Sequence, residues 1–268
     1  MAYLRLVVAM LRKASFMGAF FLLLSTPLYA ASTDCSIEPA ITTAFAVKRV
    51  IDGDTLRLHD GRGVRLIGLD APEMGGRGLS AQPYAVQATR RLAALVKANG
   101  DAVHLRLGEE SHDRYGRVLA YAYDAKGASF AEQLIAQGLA FHAQIAPNTL
   151  SADCLVKAEQ RAQQATLGLW KSARYTPVQK IKGGGFNLLQ GRIQSVQRNK
   201  GGVWLELGHA FTVNIPQQSI AYFTDQAFEQ WQGRNVRVRG WVVDRKVRSR
   251  ADARWRLTVS HPSMLELQ

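Results

Sequence analysis

Asp54, Arg65, Asp70 and Glu73 fall in one stretch of the chain, VIDGDTLRLHDGRGVRLIGLDAPE over residues 50–73. Each alone has an ordinary reading: a strand-end carboxylate, a solvated strand charge, a residue on the approach to a helix. Taken together they point to chemistry. If strand pairing brings Asp54 and Asp70 together, their charges repel unless a cation lies between them. An oxygen-only donor set suits a hard ion such as calcium or magnesium and not zinc, and no His/Cys cluster competes for that role. A second group, Asp113-Arg114-Tyr115-Gly116-Arg117, puts another arginine at a turn. The planar guanidinium fork grips phosphate oxygens through two parallel bonds, which lysine cannot do. Two arginines, two cation-binding carboxylates and one free glutamate fit hydrolysis of a phosphodiester. The glutamate takes a proton from water, the cation polarises the phosphoryl oxygen, and the arginines neutralise developing charge.

Hairpins must position these groups. Asp52-Gly53 is a turn signal, because glycine accepts positive φ and aspartate tolerates it. Around it, Ala46–Ile51 and Thr55–Leu58 read as strands, His59-Asp60-Gly61 as a second turn and Val64–Leu69 as the next strand. Side chains alternate, so Arg65 points away from the face carrying Leu66. Pro72 cannot continue a ladder and leaves Glu73 on a loop. The glycine-rich Met74–Gly78 beside it suits entry of an extended substrate. Helices are expected over Ser80–Ala98, with Ala85, Ala88, Leu92, Leu95 and Val96 on one face, over Phe130–Gln137, and over Ser151–Leu167. The third is capped by Ser151 and buries Leu155, Ala158, Ala162, Ala165 and Leu169, and Trp170 reads as a core plug. With strands at Ala102–Leu107 and Val118–Tyr123, the fold class is mainly β with α, an OB-type five-stranded barrel with inserted helices over residues 40–180.

IDGDT, RLIGLDAPE and DRYGR, in that order, resemble the thermonuclease family, whose best-known member is staphylococcal nuclease. The resemblance runs from about Ala46 to Trp170. It implies that Asp54 and Asp70 bind calcium, with the Ala71 carbonyl beside them, and that Glu73 is the general base. Arg65 and Arg117 match the phosphate-binding arginines, and Tyr115 a tyrosine near the nucleotide phosphate, with Arg114 next to it as a second substrate contact. The implied activity is calcium-dependent cleavage of DNA and RNA, single strands favoured, leaving 3′-phosphate ends, by a monomer without an obligate protein partner. One departure is plain. After Gly138-Leu139-Ala140 the type member carries two tyrosines that flank the base, whereas this chain reads Phe141-His142-Ala143-Gln144-Ile145-Ala146-Pro147.

Formal charge is +13, and removing Arg5, Arg12 and Lys13 leaves +10, a field that favours polyanions or anionic surfaces. Residues 1–30 read as an export signal, with those three basic residues, a short apolar run at Phe16–Leu24 and a cleavage-like Ser25–Ala30. An uncleaved anchor is the alternative. Export predicts a periplasmic or secreted protein in which Cys35 and Cys154, the only cysteines, form one disulfide; two separate buried thiols are the other reading. Residues 181–185 read as a linker to a second, smaller OB-like barrel over residues 186–268, with a helix over Gln217–Trp231 between its third and fourth strands. That tail holds twelve Lys/Arg against six Asp/Glu. Its strand arginines and Trp204, Trp241 or Trp255 either make a phosphate-tracking, base-stacking groove or a solvated face over a core. A non-catalytic nucleic-acid-binding envelope protein is the rival to the nuclease reading.

Overall fold

The computed structural model describes residues 35–76, 78–245 and 253–268. The expected leader, Arg77 and the basic stretch 246–252 lie outside the described residues. Strands β1 (Thr43–Val50), β2 (Thr55–Leu58) and β3 (Gly63–Leu66) form a meander. The chain then makes a short β4 (Gly68–Asp70), helix α1 (Ala85–Ala98), β5 (Ala102–His112) and β6 (Val118–Tyr123). Strands β1-β2-β3-β6-β5 close into a barrel, with β3 and β6 parallel. Leu56, Leu58, Val64 and Leu66 alternate into its core, as period two requires.

Several expected boundaries move, each for a local reason. The strand expected over Val64–Leu69 breaks at Gly68, whose φ is +93°. A Cβ there would also lie 2.5 Å from Leu155 Cδ1. The break takes the chain off the barrel, so β4 pairs instead with β7 (Phe141–Ala143). Gly53 is not in the left-handed region. It is glycine because a Cβ would lie 2.6 Å from Ala71 Cβ and 2.7 Å from Ala88 Cβ, pinning the 52–54 turn against α1. That helix starts at Ala85 and not Ser80, because Pro83 and the left-handed Tyr84 interrupt the pattern. Its buried face is the expected one. Helix α2 spans Phe130–Ile135, capped by Ser129. Helix α3 spans Ala152–Gln164; Ser151 holds the N-cap position without a side-chain cap, and Ala165 is exposed. Cys35 and Cys154 are disulfide-bonded, tying the segment before β1 to α3. Trp170 is a buried plug.

The remaining strands are β8 (Thr176–Pro177), β9 (Gly185–Arg192), β10 (Ser195–Asn199), β11 (Gly202–Glu206), β12 (Phe211–Pro216), β13 (Asn235–Asp244), β14 (Trp255–Thr258) and β15 (Leu265–Leu267). They pair in the order β10-β11-β12-β14-β13-β9-β8, with β15 on β13 and β12 parallel to β14. Strands β9 and β10 are consecutive, and between them Ile193 donates to Arg234 O and Gln194 to Glu206 O. One bent run of chain therefore supplies β10 at one edge and β9, beside the short β8, at the other. The helix expected over Gln217–Trp231 is instead two short 3-10 segments, Gln217–Tyr222 and Phe228–Trp231. Asp225 separates them: its carboxylate accepts from Ala227 N at 2.9 Å and Trp231 Nε1 at 3.1 Å, a local alternative to helical bonding. Thr176–Pro177 pairs with β9, Val178 lies in the second core and Gly185 opens β9, so the expected linker at 181–185 runs between two strands of one sheet. Among the described residues no helix is long and apolar enough to cross a membrane.

Candidate active site

Register sets the first half of the site. Thr55 pairs with Arg65 across β2 and β3, so Asp54, one residue before Thr55, comes within reach of the guanidinium. Arg65 Nη1 bonds Asp54 Oδ1, and Nη2 bonds Asp70 Oδ1 at 2.8 Å. The break at Gly68 turns the chain so that Asp70, five residues on, faces back to Arg65. Asp54 is fully enclosed and accepts from Ala71 N at 2.8 Å and Thr55 Oγ1 at 3.0 Å. Asp52 acts as the expected turn former, accepting from Asp54 N at 3.0 Å.

One guanidinium thus bridges a buried carboxylate and a half-buried one, leaving one negative charge unbalanced. Burial pushes the pKa of both upward; repulsion from Asp52 and from each other adds to it at Asp54, and from Glu73 and Asp52 at Asp70, with Arg65 opposing. Their oxygens are the donors a hard divalent cation takes. Among the described residues no three His, Cys, Asp or Glu side chains converge on one point. Asp54 and Asp70 supply two such donor groups, and Arg65 already holds one oxygen of each. Ala71 itself meets Asp54 through its amide.

The second half is the loop between β5 and β6. Asp113 closes it, its amide donating to Arg117 O at 3.0 Å and its carboxylate accepting from Tyr115 N at 2.9 Å and Arg117 N at 3.0 Å. The same carboxylate takes Arg117 Nε at 2.7 Å, so the loop-closing residue also aims the arginine. Partial burial opposes ionisation of Asp113, but these bonds win and hold its pKa below the usual carboxylate range. Tyr115 is 70% exposed, with the Arg114 guanidinium 4.9 Å and the Arg117 guanidinium 5.7 Å from its ring.

Arg65, Asp70, Glu73, Arg114, Tyr115 and Arg117 all line one cleft of about 550 Å³. Asp54 lies behind Arg65 and Ala71 at its base. Glu73 is exposed, held by its backbone, which donates to Gln82 Oε1 and accepts from Gln82 N, both at 2.9 Å. Asp113 stood in the second motif without a role of its own; its hold on Arg117 is what the structure adds. Trp241, one of the three tryptophans offered for base stacking, enters the cleft from the second sheet. Of the strand arginines beside Val236 and Val238, one that could have tracked phosphates or faced solvent does neither. Arg239 is buried against Glu159 and donates to Tyr175 Oη at 2.9 Å, and Arg237 stacks over the Tyr175 ring at 5.0 Å. Trp255 belongs to the second core.

Carboxylates behind a guanidinium, a second aimed guanidinium and an exposed glutamate, facing one cleft on a closed barrel, define a site for a phosphate-bearing ligand. Residues 63–172 match the model of the family described as Staphylococcal nuclease homologue. The chain is 34% identical over 148 residues to a thermonuclease of Staphylococcus intermedius, covering 54% of this chain and 83% of that protein. It belongs to the staphylococcal nuclease family. It is also 35% identical over 131 residues to the SPbeta prophage-derived endonuclease YokF of Bacillus subtilis (strain 168), covering 47% of this chain and 44% of that protein. Endonuclease YncB of the same organism matches at 35% over 131 residues, 47% of this chain and 61% of that protein. The chain thus spans only part of the length of these two relatives.

Proposed function

We propose that this chain is an exported, calcium-dependent nuclease that hydrolyses phosphodiester bonds of DNA and RNA and leaves 3′-phosphate ends. One observation carries this reading: Arg65 with Asp70, Arg117 on Asp113, and Glu73 line a single cleft. Glu73 accepts a proton from the attacking water, whose oxygen bonds to phosphorus as the bond to the 5′ oxygen breaks. Arg117 presents its fork to the phosphoryl oxygens, and Arg65 keeps Asp54 and Asp70 paired. Calcium bound at Asp54 and Asp70 would polarise the phosphoryl oxygen as a Lewis acid. Single strands, which follow an extended path, suit the open cleft, and the positive field concentrates them there. The protein acts as a monomer outside the cytoplasm, and the second domain adds affinity and not a separate centre.

The test is incubation of purified protein with single-stranded DNA and RNA, with calcium or with excess chelator. Calcium-dependent cleavage is expected. Binding without cleavage would favour the non-catalytic nucleic-acid-binding role, and equal cleavage in chelator would remove calcium.

A further inference from the structure

Strand β13 turns one face into its own core, through Val236, Val238 and Val242. Alternate residues face outward, and two of them meet the first domain. Arg239 is buried against Glu159. Two residues on, Trp241 stays half-buried and lines the cleft that holds Arg65, Glu73 and Arg117. A chain of rings fixes its position: Trp170 meets Phe141 edge-on at 5.3 Å, Phe141 stacks on Phe186 at 5.6 Å, and Phe186 meets Trp241 edge-on at 5.2 Å. Phe186 is also its register partner on β9. The indole is thus pre-positioned, and its remaining surface looks into the cleft.

Trp241 lines a second cavity too, of about 650 Å³, which shares Glu110, Arg114 and Ile145 with the first. Beyond Trp241 this recess is bordered by Tyr222, Pro147 and Val243. Ile145 is 48% and Val243 50% exposed, so both leave apolar surface open to this recess. The loop carrying Ile145 is fixed from both sides. Ala146 N donates to Ser260 Oγ of the second domain at 3.1 Å, and Asn148 Nδ2 to Glu110 O of β5 at 2.9 Å. A flat aromatic and apolar slot, with a guanidinium at its rim and continuous with a phosphate-binding cleft, has the chemistry of a nucleobase site.

Resting on the nuclease reading, we infer that Trp241, with Ile145, forms a nucleobase subsite that the second domain contributes to the catalytic cleft. The strand runs from the Arg65 and Arg117 centre past Arg114, with a base stacked on the indole beside it. The stacking ring comes here from Trp241, with Ile145 as an apolar wall beside it, because Phe141 is committed to Trp170 and Phe186.

The experiment compares wild type, Trp241→Ala and Trp241→Phe on a short single-stranded DNA and on a set of strands each with one abasic nucleotide. Cleavage is followed with calcium, and binding in chelator by tryptophan fluorescence and anisotropy of labelled DNA. Trp241→Ala should raise KM and Kd about tenfold, with kcat little changed, and Trp241→Phe should keep most of the affinity. An abasic nucleotide at one position should weaken wild type equally and leave Trp241→Ala indifferent. Equal Kd for wild type and Trp241→Ala on the intact strand overturns the subsite. So does a Trp241→Ala loss that is the same at every abasic position, which marks the indole as structural. Because binding is read without turnover, the position-specific difference in chelator upholds the subsite even if wild type cuts nothing, an outcome that would sink only the nuclease reading.

Discussion

Asp113 decides where Arg117 points, and that makes it a positioning residue for the cleft. Its carboxylate spends one oxygen on the loop amides and the other on the guanidinium Nε. That bond leaves the two Nη groups of Arg117 for a ligand. Replacing Glu73 by Gln keeps the shape but not the proton acceptor, so turnover should fall by ~10²–10⁴ while binding of single-stranded DNA survives. Arg117→Lys keeps charge but loses the fork and should also impair turnover. Asp113→Ala frees both loop and arginine and should resemble Arg117→Lys in kcat, with less loss in Asp113→Asn, which still accepts from the amides. Steady-state kcat and KM for the four variants check this; near-native turnover in Glu73→Gln would remove it as the base. Arg65, Asp70, Glu73 and Arg117 were legible in the sequence because their types and spacing suit one reaction. The hold of Asp113 on Arg117 was not, since it depends on how the loop between β5 and β6 folds back. Nor was the extent to which Arg65 is occupied by two aspartates, which depends on the pairing of Thr55 with Arg65.

At the scale of elements, the site depends on helix α3, which never enters it. Leu155 of α3 packs over Gly68, where the chain leaves the barrel to bring Asp70 toward Arg65. Its neighbour Cys154 bonds Cys35 across 119 residues of sequence. Closing a loop of that length restricts the unfolded chain and typically stabilises by about 2–4 kcal/mol. Reduction should therefore lower the urea midpoint by that amount divided by the m-value, and Cys35→Ser should match reduced wild type. Identical midpoints for oxidised and reduced protein would leave the disulfide without a stabilising role. Helix faces and strands were readable from period alone, as the buried set of α1 and the Thr55–Leu58 strand demonstrate. The break at Gly68 and the loss of the helix over Gln217–Trp231 were not. One depends on Leu155, distant in sequence, and the other on the Asp225 side chain outcompeting helical bonds.

At the scale of the molecule, the closed barrel and the second sheet are joined through a buried charge and not through a loose tether. Arg239 of β13 is inserted between the Glu159 carboxylate, His142 O at 3.4 Å and Tyr175 Oη at 2.9 Å. Glu159 also accepts from His142 N at 2.8 Å. Burial raises the Glu159 pKa and Arg239 opposes that rise. Around the pair, Phe141, Trp170 and Ala162 pack with Phe186 and Leu188 of β9. Composition gave no hint of this, because an arginine on an alternating strand looks solvated until its partner is known. A chain ending near Lys182 would therefore lose more than affinity: it would strip Glu159 of its counter-charge and uncover the aromatic cluster. Removing one member of a buried pair costs about 3–5 kcal/mol, whereas replacing both by apolar groups of similar volume is often neutral. Arg239→Met should destabilise by about that amount, and Glu159→Leu/Arg239→Met should recover most of it. Urea unfolding of the two variants, wild type and the truncation at Lys182, followed by far-UV circular dichroism and tryptophan fluorescence together, measures this. Wild type should unfold in one transition by both probes, with the truncation the least stable of the four. A truncated chain as stable as wild type, or an Arg239→Met variant with an unchanged midpoint, would show the domains to be independent and the interface pair to be energetically silent.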